Sequence, residues 1–435
     1  MVEQNDSPRE TTWASGRAPG GGRFSGTRGV LWALTAQVFF NMLGLGIVGP
    51  VMPLYAKSFG VGAAMVGMLG TAFAVARIIV NLPVGSLADR IGRKPFLVAG
   101  PLITCFSSLM SGLAQQFGSL IAYRFIQGIG SAALVTTAQT VLADITSRET
   151  RGRAMSLYQG ALLLGQSFGP TVGGFVGEHL GYRAPFFVYS GLSLVAGIWA
   201  LLAIPETHAY AEARVRTEMR TVRADCAPQS MWACAGRLLR DVNFVLISLI
   251  MFMIFFTRSG SQSNVLPLFG SFGLGLTAGQ LGFTLTLIAV CNLITLNWSG
   301  ALSDKLGRKA VIVPASILAG ASLVVFTFSR NYAFFLFSGA LFGMSTGLAG
   351  PAPAAYVADL ARPGQTAITL GLSRTISDIG MAIGPVLLGW IVDHQGYAAA
   401  LLTNGAIYIL VGAAFGILAQ ETVKRKAPQE ARAAR

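Results

Sequence analysis

The chain is short of charge, and shortest of acid. Only 11% of its 435 residues are Asp, Glu, Lys or Arg, and 18 of these are acidic. Soluble proteins of this length carry about 25% charged residues, so that class is excluded. With 53% hydrophobic residues and a mean hydropathy of +0.60, the chain is suited to lipid. Histidine is nearly missing as well: His179, His208 and His394 lie far apart, with no nucleophile or metal constellation around them, so no enzyme is expected. Of the four cysteines, Cys226 and Cys234 are spaced C-x7-C without a second pair or a nearby His. No zinc site follows, and no other metal or cofactor is expected. The pattern G-x-x-x-x-G-K-[ST] is absent, which removes ATP as direct energy source by that route. No segments of about 10 residues alternate strictly, as β-barrel strands do. Residues 1–28 have no apolar core, so the first apolar run is expected to act as the targeting signal in place of a cleaved leader.

Long apolar runs are what the sequence has in quantity. A helix needs about 20 residues to cross about 30 Å of hydrocarbon. Runs of that kind fall near 30–56, 63–86, 95–116, 119–143, 152–177 and 183–204, then near 242–269, 279–301, 310–329, 332–357, 366–392 and 398–419. Numbered spans 1 to 12, they predict an all-α polytopic membrane protein whose Gly- and Ala-rich helices pack closely. The net charge of +14 could signal nucleic acid, but its distribution decides otherwise. With the N-terminus cytoplasmic, 25 of the 32 Lys and Arg fall on the cytoplasmic side, three (Lys57, Arg183, Arg330) on the other, and four within spans. This is the positive-inside bias, with both termini cytoplasmic in a plasma (inner) membrane and no nucleic-acid partner.

Many positions recur at an offset of 215. Gly85-Ser-Leu-Ala-Asp89-Arg-Ile-Gly92-Arg93-Lys94 returns as Gly300-Ala-Leu-Ser-Asp304-Lys-Leu-Gly307-Arg308-Lys309. Asp144 falls on Asp359, Gly169-Pro170 on Gly384-Pro385, Gly181-Tyr182 on Gly396-Tyr397, and Glu206-Thr207 on Glu421-Thr422. Near the front the register slips by one, Pro53-Leu54 matching Pro267-Leu268. The expected organisation is a tail (1–28), a six-helix bundle (29–205), a basic middle loop (206–241), a second bundle (242–420) and a tail (421–435). Such parallel halves place a binding site between them near the bilayer midplane, reached alternately from each side.

Over most of residues 30–420 the chain resembles the major facilitator superfamily, in particular its twelve-span drug/proton antiporters. Gly85 to Lys94 fits that family's G-x-L-x-D-R-x-G-R-K motif almost completely, and the second copy changes only Arg to Lys305. Arg124-Phe-Ile-Gln127-Gly128-Ile-Gly130 is similar to the R-x-x-Q-G-x-G element of proton-coupled members. Gly165-Gln-Ser-Phe-Gly169-Pro170-Thr-Val-Gly173-Gly174 is similar to the antiporters' G-x-x-x-G-P-x-x-G-G, although Ser156 stands where the fuller pattern has Gly. The resemblance implies a major facilitator fold, alternating access, and proton-coupled export with Arg124 tied to proton movement.

Physical reading of the residues adds roles. Gly85 and Gly92 are expected to turn the backbone between spans 2 and 3, and Asp89 to sit near a helix N-terminus. Arg93 is expected to reach Asp144, and Arg308 to reach Asp359. With Lys94, Asp304 and Lys309, these form two cytoplasmic latches that break when the halves rock inward. Within the spans, charges are costly unless paired or wet. Arg77, Arg124, Arg258 and Arg374 outnumber the one mid-span carboxylate, Asp378, which lies four residues from Arg374 on one helix face. Asp378 is the candidate protonation site, while span 1 offers only Asn41 where the resembled family often has an acid. Asn41, Asn81, Gln127, Gln262 and Asn264, with Arg77 and Arg258, are candidates to line a cavity or to tie helices together. Two functions follow: a proton-coupled exporter of amphipathic compounds, or a carrier for a defined anionic, zwitterionic or lipid-like metabolite. In either case the partners are a small molecule, protons for the exporter, and the lipid bilayer, with a monomer as the working unit.

Overall fold

The structure, a computed structural model, describes residues 27–146, 148–206, 231–361 and 365–422. Every regular element among them is helical. Spans 2 to 6 are the helices Ala63–Ile91, Lys94–Gly112, Phe117–Ile145, Arg148–Leu180 and Ala184–Ala203, and spans 8 and 9 are Ala278–Leu306 and Arg308–Phe326. Span 1 is Thr27–Val48 continued by Met52–Lys57, and span 10 is Tyr332–Ala349 continued by Ala352–Leu360. Both breaks fall at a Gly-Pro pair, Gly49-Pro50 and Gly350-Pro351, where proline has no N–H to carry the hydrogen-bond ladder onward. Spans 11 and 12 form one run, Thr366–Leu418, interrupted at Gly396 with φ of 85°. The tails and most of the middle loop, with Cys226, lie outside the described residues, apart from the short helix Met231–Leu238.

Ten helical stretches among the described residues are long and apolar enough to cross a membrane. The stretch Ile368–Leu418 is one of them and carries two spans. Span 5 is not among the ten, because its first turns hold Arg148, Glu149, Arg151 and Arg153 and its remainder is rich in Gly, Ser and Gln. Its polarity suits its place: it packs on span 1 of its own half and on span 8 of the other.

The repeat in sequence is a repeat in packing. Span 1 lies against spans 5 and 6, span 4 against spans 2 and 3, and span 3 against span 6; spans 7 to 12 repeat these neighbours. The halves meet chiefly through two helix pairs, span 2 with span 11 and span 5 with span 8, and span 7 also touches spans 1 and 2. Several starts carry local start signals that the sequence chemistry explains. Asp241 caps span 7 through Asn243 N (2.9 Å), Asn331 caps span 10 through Phe334 N (2.9 Å), and Thr277 with Gln280 forms a capping box on span 8.

Span 7 departs from a regular α-helix. After Val242–Phe256 it winds as a π-helix over Thr257–Val265, returns to α at Leu266–Leu268, and ends in a second π segment, Phe269–Gly273. Inserted π turns recur at functional sites. Here the wide segment coincides with the run Thr-Arg-Ser-Gly-Ser-Gln-Ser-Asn, eight consecutive polar or Gly residues inside an otherwise apolar span.

Candidate transport pathway

At the end of the bundle that carries the two Gly-Arg-Lys turns, called here the motif end, each turn is built alike. Gly92 has φ of 110° and Gly307 φ of 104°, in the region that L side chains rarely adopt. A Cβ on Gly92 would also lie 2.7 Å from Glu206 Oε2, and one on Gly307 2.5 Å from Glu421 Oε2. Those two carboxylates cap the helices that follow. Glu206 accepts from the backbone N–H of Arg93 (2.9 Å) and Lys94 (3.1 Å), and Glu421 from those of Arg308 and Lys309 (both 3.0 Å). Backbone N–H groups left unpaired at a helix start make this an anion site, and the end of span 6 or 12 supplies the anion.

The expected ion pairs are present. Arg93 Nε donates to Asp144 Oδ2 at 3.2 Å and Arg308 Nε to Asp359 Oδ2 at 3.4 Å, and Thr422 Oγ1 adds a bond to Asp359 at 3.0 Å. Lys309 Nζ donates to Ala419 O at 2.7 Å. Two expectations need correction. Gly85 does not turn the chain; like Gly300 in span 8, it lies inside its helix, and a Cβ on it would meet nothing within 4 Å. Asp304 pairs with Arg308 of its own motif at 2.5 Å, and the N-terminus of span 9 goes to Glu421. The side chain of Asp89 lies outside the described residues. Finally, Arg93 with Asp144 and Arg308 with Asp359 are closed although the halves part at this end. Both partners of each pair belong to one half, so the pairs do not join the halves.

The halves meet at the opposite, far end. Asp393, at the end of span 11, accepts from the N–H of Ala63 (2.6 Å) and Ala64 (2.9 Å), the first residues of span 2. Glu178, at the end of span 5, accepts from the N–H of Gly279 (2.9 Å) at the start of span 8. Glycine carries the rest of the closure. Gly67 abuts the carbonyl of Pro385, Gly282 that of Pro170, Gly389 that of Ala63 and Gly174 that of Ala278, each too close for a Cβ. Thr71 Oγ1 bonds Ala382 O, and Thr286 Oγ1 bonds Ser167 O (2.9 Å) and Thr171 Oγ1 (2.8 Å). Toward the motif end these contacts run out: positions Gly85, Gly152, Gly160 and Gly371, on spans 2, 5 and 11, have room for a Cβ with nothing within 4 Å. The row Gly165, Gly169, Gly173 of the Gly-Pro element faces span 1 of its own half, against Phe39 O, Gly46 and Ile47. Ser167, Pro170, Thr171 and Gly174 of the same element look across to span 8.

Between the two ends lie the candidate charges. Arg124 is buried beneath the Phe73 ring (4.9 Å) and bonds Gln127, which reaches Ser108 at 3.5 Å; no carboxylate pairs with it among the described residues. Asn81 accepts from Thr136 (3.0 Å) and Asn264 donates to Pro385 O (3.0 Å), so these two and Gln127 tie helices within one half. Asn41 is fully buried with neither amide atom bonded. Arg77, Arg258 and Arg374 act on one another through space, and Arg258 bonds Gln166 across the halves. Arg374 Nε stands 3.7 Å from Asp378 Oδ1. Gln262 is half-buried on the π segment.

A profile of the Major Facilitator Superfamily matches residues 34–295 and 251–435, nearly the whole bundle. The chain belongs to the Major Facilitator Superfamily. Among relatives in that superfamily, Multidrug resistance protein 2 of Bacillus subtilis (strain 168) is 27% identical over 361 residues, 83% of this chain and 88% of that one. Quinolone resistance protein NorA of Staphylococcus aureus is 28% identical over 174 residues, 40% of this chain and 45% of that one. Among solved structures, the inward-facing, unoccupied bacterial homolog of the human lysosomal transporter Spinster superposes with a TM-score of 0.73 at 17% identity, over 90% of this chain and 96% of that one. That likeness concerns the fold. Membership makes the protein a multi-pass membrane transporter of a small-molecule substrate, and its relatives are transporters rather than enzymes.

Sequence reasoning gave no role to four acids in this superfamily member: Glu206 and Glu421, noted only as part of the repeat, and Glu178 and Asp393. The signal was present, since each pair stands at the offset of 215 and acids are scarce in the chain.

Proposed function

We propose that the chain is a proton-coupled secondary exporter of amphipathic small molecules that works by alternating access, with its motif end in the cytoplasm. The observation that carries this reading is the pair of symmetry-related closures at the far end. Spans 2 and 11, and spans 5 and 8, touch through backbone and glycine there and part toward the motif end, which is the geometry of a carrier open to one side. Two helix pairs that pivot about small residues can close one end only by opening the other. Relatives named for multidrug and quinolone resistance support efflux as the direction, and the excess of Lys and Arg at the motif end supports a cytoplasmic placement of both termini in the plasma membrane. Asp378 is the mid-span carboxylate that takes and releases the proton.

Proteoliposomes holding the purified full-length protein, with an imposed pH gradient, test the reading. Gradient-driven flux of an uncharged amphipathic dye such as Nile red, lost in Asp378→Asn, is expected. Flux that ignores the gradient removes the proton coupling, and gradient-driven flux that survives in Asp378→Asn removes the role of that carboxylate.

A further inference from the structure

We infer that Arg77, Arg258 and Arg374 together form a binding site for an organic anion, an apolar body with a delocalised oxyanion head such as a sulfonate or carboxylate. The inference rests on the transporter reading above and names the charge class of its cargo.

The closure at the far end fixes where these side chains stand. A Cβ on Gly70 would meet Pro385 at 3.2 Å and Ser259 at 3.7 Å, so spans 2, 11 and 7 converge there. Arg77 lies seven residues from Gly70 toward the motif end, two helical turns or about 10 Å away on the same face. Asp378 lies seven residues from Pro385 in the same direction, Arg374 one turn farther, and Arg258 beside Ser259. The convergence therefore sets three guanidiniums, one from the first half and two from the second, along the cleft below its closed end, over about 16 Å of depth. Their charges reach one another and Asp378.

These cations are incompletely satisfied. Arg258 bonds Gln166, Arg77 Nε is buried without a partner, and the Arg374 to Asp378 separation of 3.7 Å exceeds hydrogen-bond length. A guanidinium offers five N–H donors in a planar fork that matches an oxyanion, and the described residues occupy few of them. Three positive charges face one carboxylate at mid-span, where an unbalanced charge is costly. An entering oxyanion reduces that imbalance. An aromatic face supplies the apolar part: Arg374 lies 5.3 Å from the centroid of the half-buried Phe255. Because Arg77 belongs to one half and Arg258 with Arg374 to the other, a bound anion draws the halves together on the side that is open, which couples binding to closure. The same arrangement repels a quaternary ammonium of equal size.

The test uses 2-naphthalenesulfonate and 2-naphthyltrimethylammonium, permanently charged compounds on one ring system. Binding to the purified full-length protein is read by calorimetry, and flux in proteoliposomes under a pH gradient. The sulfonate is expected to bind at least about tenfold more tightly than the ammonium, and Arg77→Gln and Arg258→Gln each to weaken it by roughly tenfold, the loss of one charge-assisted hydrogen bond. Arg77→Lys, which keeps the charge, retains part of the affinity and checks that the fold survives. Binding or transport of the ammonium with none of the sulfonate overturns the anion site and leaves the exporter reading standing. Arginine-dependent sulfonate binding without gradient-driven flux of either compound keeps the site and overturns the exporter. Equal affinity of the Gln variants and the unaltered protein for the sulfonate overturns the site.

Discussion

The two ends of the bundle use the same device, a carboxylate on the N-terminus of a helix, for opposite purposes. At the motif end Glu206 and Glu421 hold the first turns of spans 3 and 9 from within their own halves. At the far end Asp393 and Glu178 hold the first turns of spans 2 and 8 across the halves. One set stiffens each half as a rigid body; the other joins the two bodies. The difference shows that the charged motif, which dominates the sequence, is a brace within each half in this conformation, while the joint between halves is made by residues the motif does not contain.

Bulky residues at the close glycine contacts break this comparison most severely. Gly67→Trp with Gly282→Trp places side chains where Pro385 and Pro170 carbonyls stand, so the far end is held open. Transport is expected to fall at least about 100-fold, each tenfold being about 1.4 kcal/mol. A cysteine at Thr71 in a cysteine-free background should then react with an impermeant thiol reagent from the far side. Gly85→Trp lies where the structure leaves space; it blocks the opposite closure, so Thr71→Cys should stay protected while transport is also lost. Equal labelling in the two backgrounds would contradict the division of the ends.

Arg93→Asp is next in size. The guanidinium is buried against Asp144, and reversal of one partner of a buried pair costs about 3–5 kcal/mol. The thermal midpoint in detergent is expected to fall by several degrees, and Asp144→Arg in the same chain to restore part of it. Labelling at Thr71→Cys should not change, because both partners lie in one half. A shift in labelling as large as that of the tryptophan pair would make the brace a joint after all.

Most of the architecture was legible because a span has to be long and apolar and a duplication leaves a constant offset. Apolar length located twelve runs, and the structure shifts their ends by a few residues. Span 5 was read as one of the apolar runs although it is the most polar of them, since its burial between span 1 and span 8 relaxes the need for an apolar surface. The pairings of Arg93 with Asp144 and Arg308 with Asp359 were legible from the offset together with the sidedness of the loops. The role of Gly85 was misread because glycine before a turn and glycine inside a helix look alike in sequence. The far-end acids were overlooked because an acid at the end of a span reads as an ordinary solvated residue; only three-dimensional pairing of span 2 with span 11, and of span 5 with span 8, gives Asp393 and Glu178 a helix to cap. The π-helix of span 7 left a trace in the polar run from Thr257 to Asn264, but that run does not reveal that Thr257 and Ser261 turn toward Asn404 while Arg258 turns toward the other half.

The smaller effects test the comparison more finely, because they touch one carboxylate at a time. Removal of a capping side chain costs about 1 kcal/mol, so Asp393→Asn with Glu178→Gln should shift the balance toward the far-open form by roughly tenfold or more when the two act independently. The readout is the labelling rate at Thr71→Cys, rising without a large change in thermal midpoint. Asp304→Asn removes an acid whose side chain is 67% exposed, and Arg308 keeps Asp359 as its partner. An exposed pair is worth about 0–1 kcal/mol, so the midpoint should move little, the change should shrink further in high salt, and labelling at Thr71→Cys should stay at the level of the unaltered protein. If Asp304→Asn opened the far end as much as the double acid change, the carboxylates of the motif end would be acting between the halves, and the assignment of brace and joint would have to be reversed.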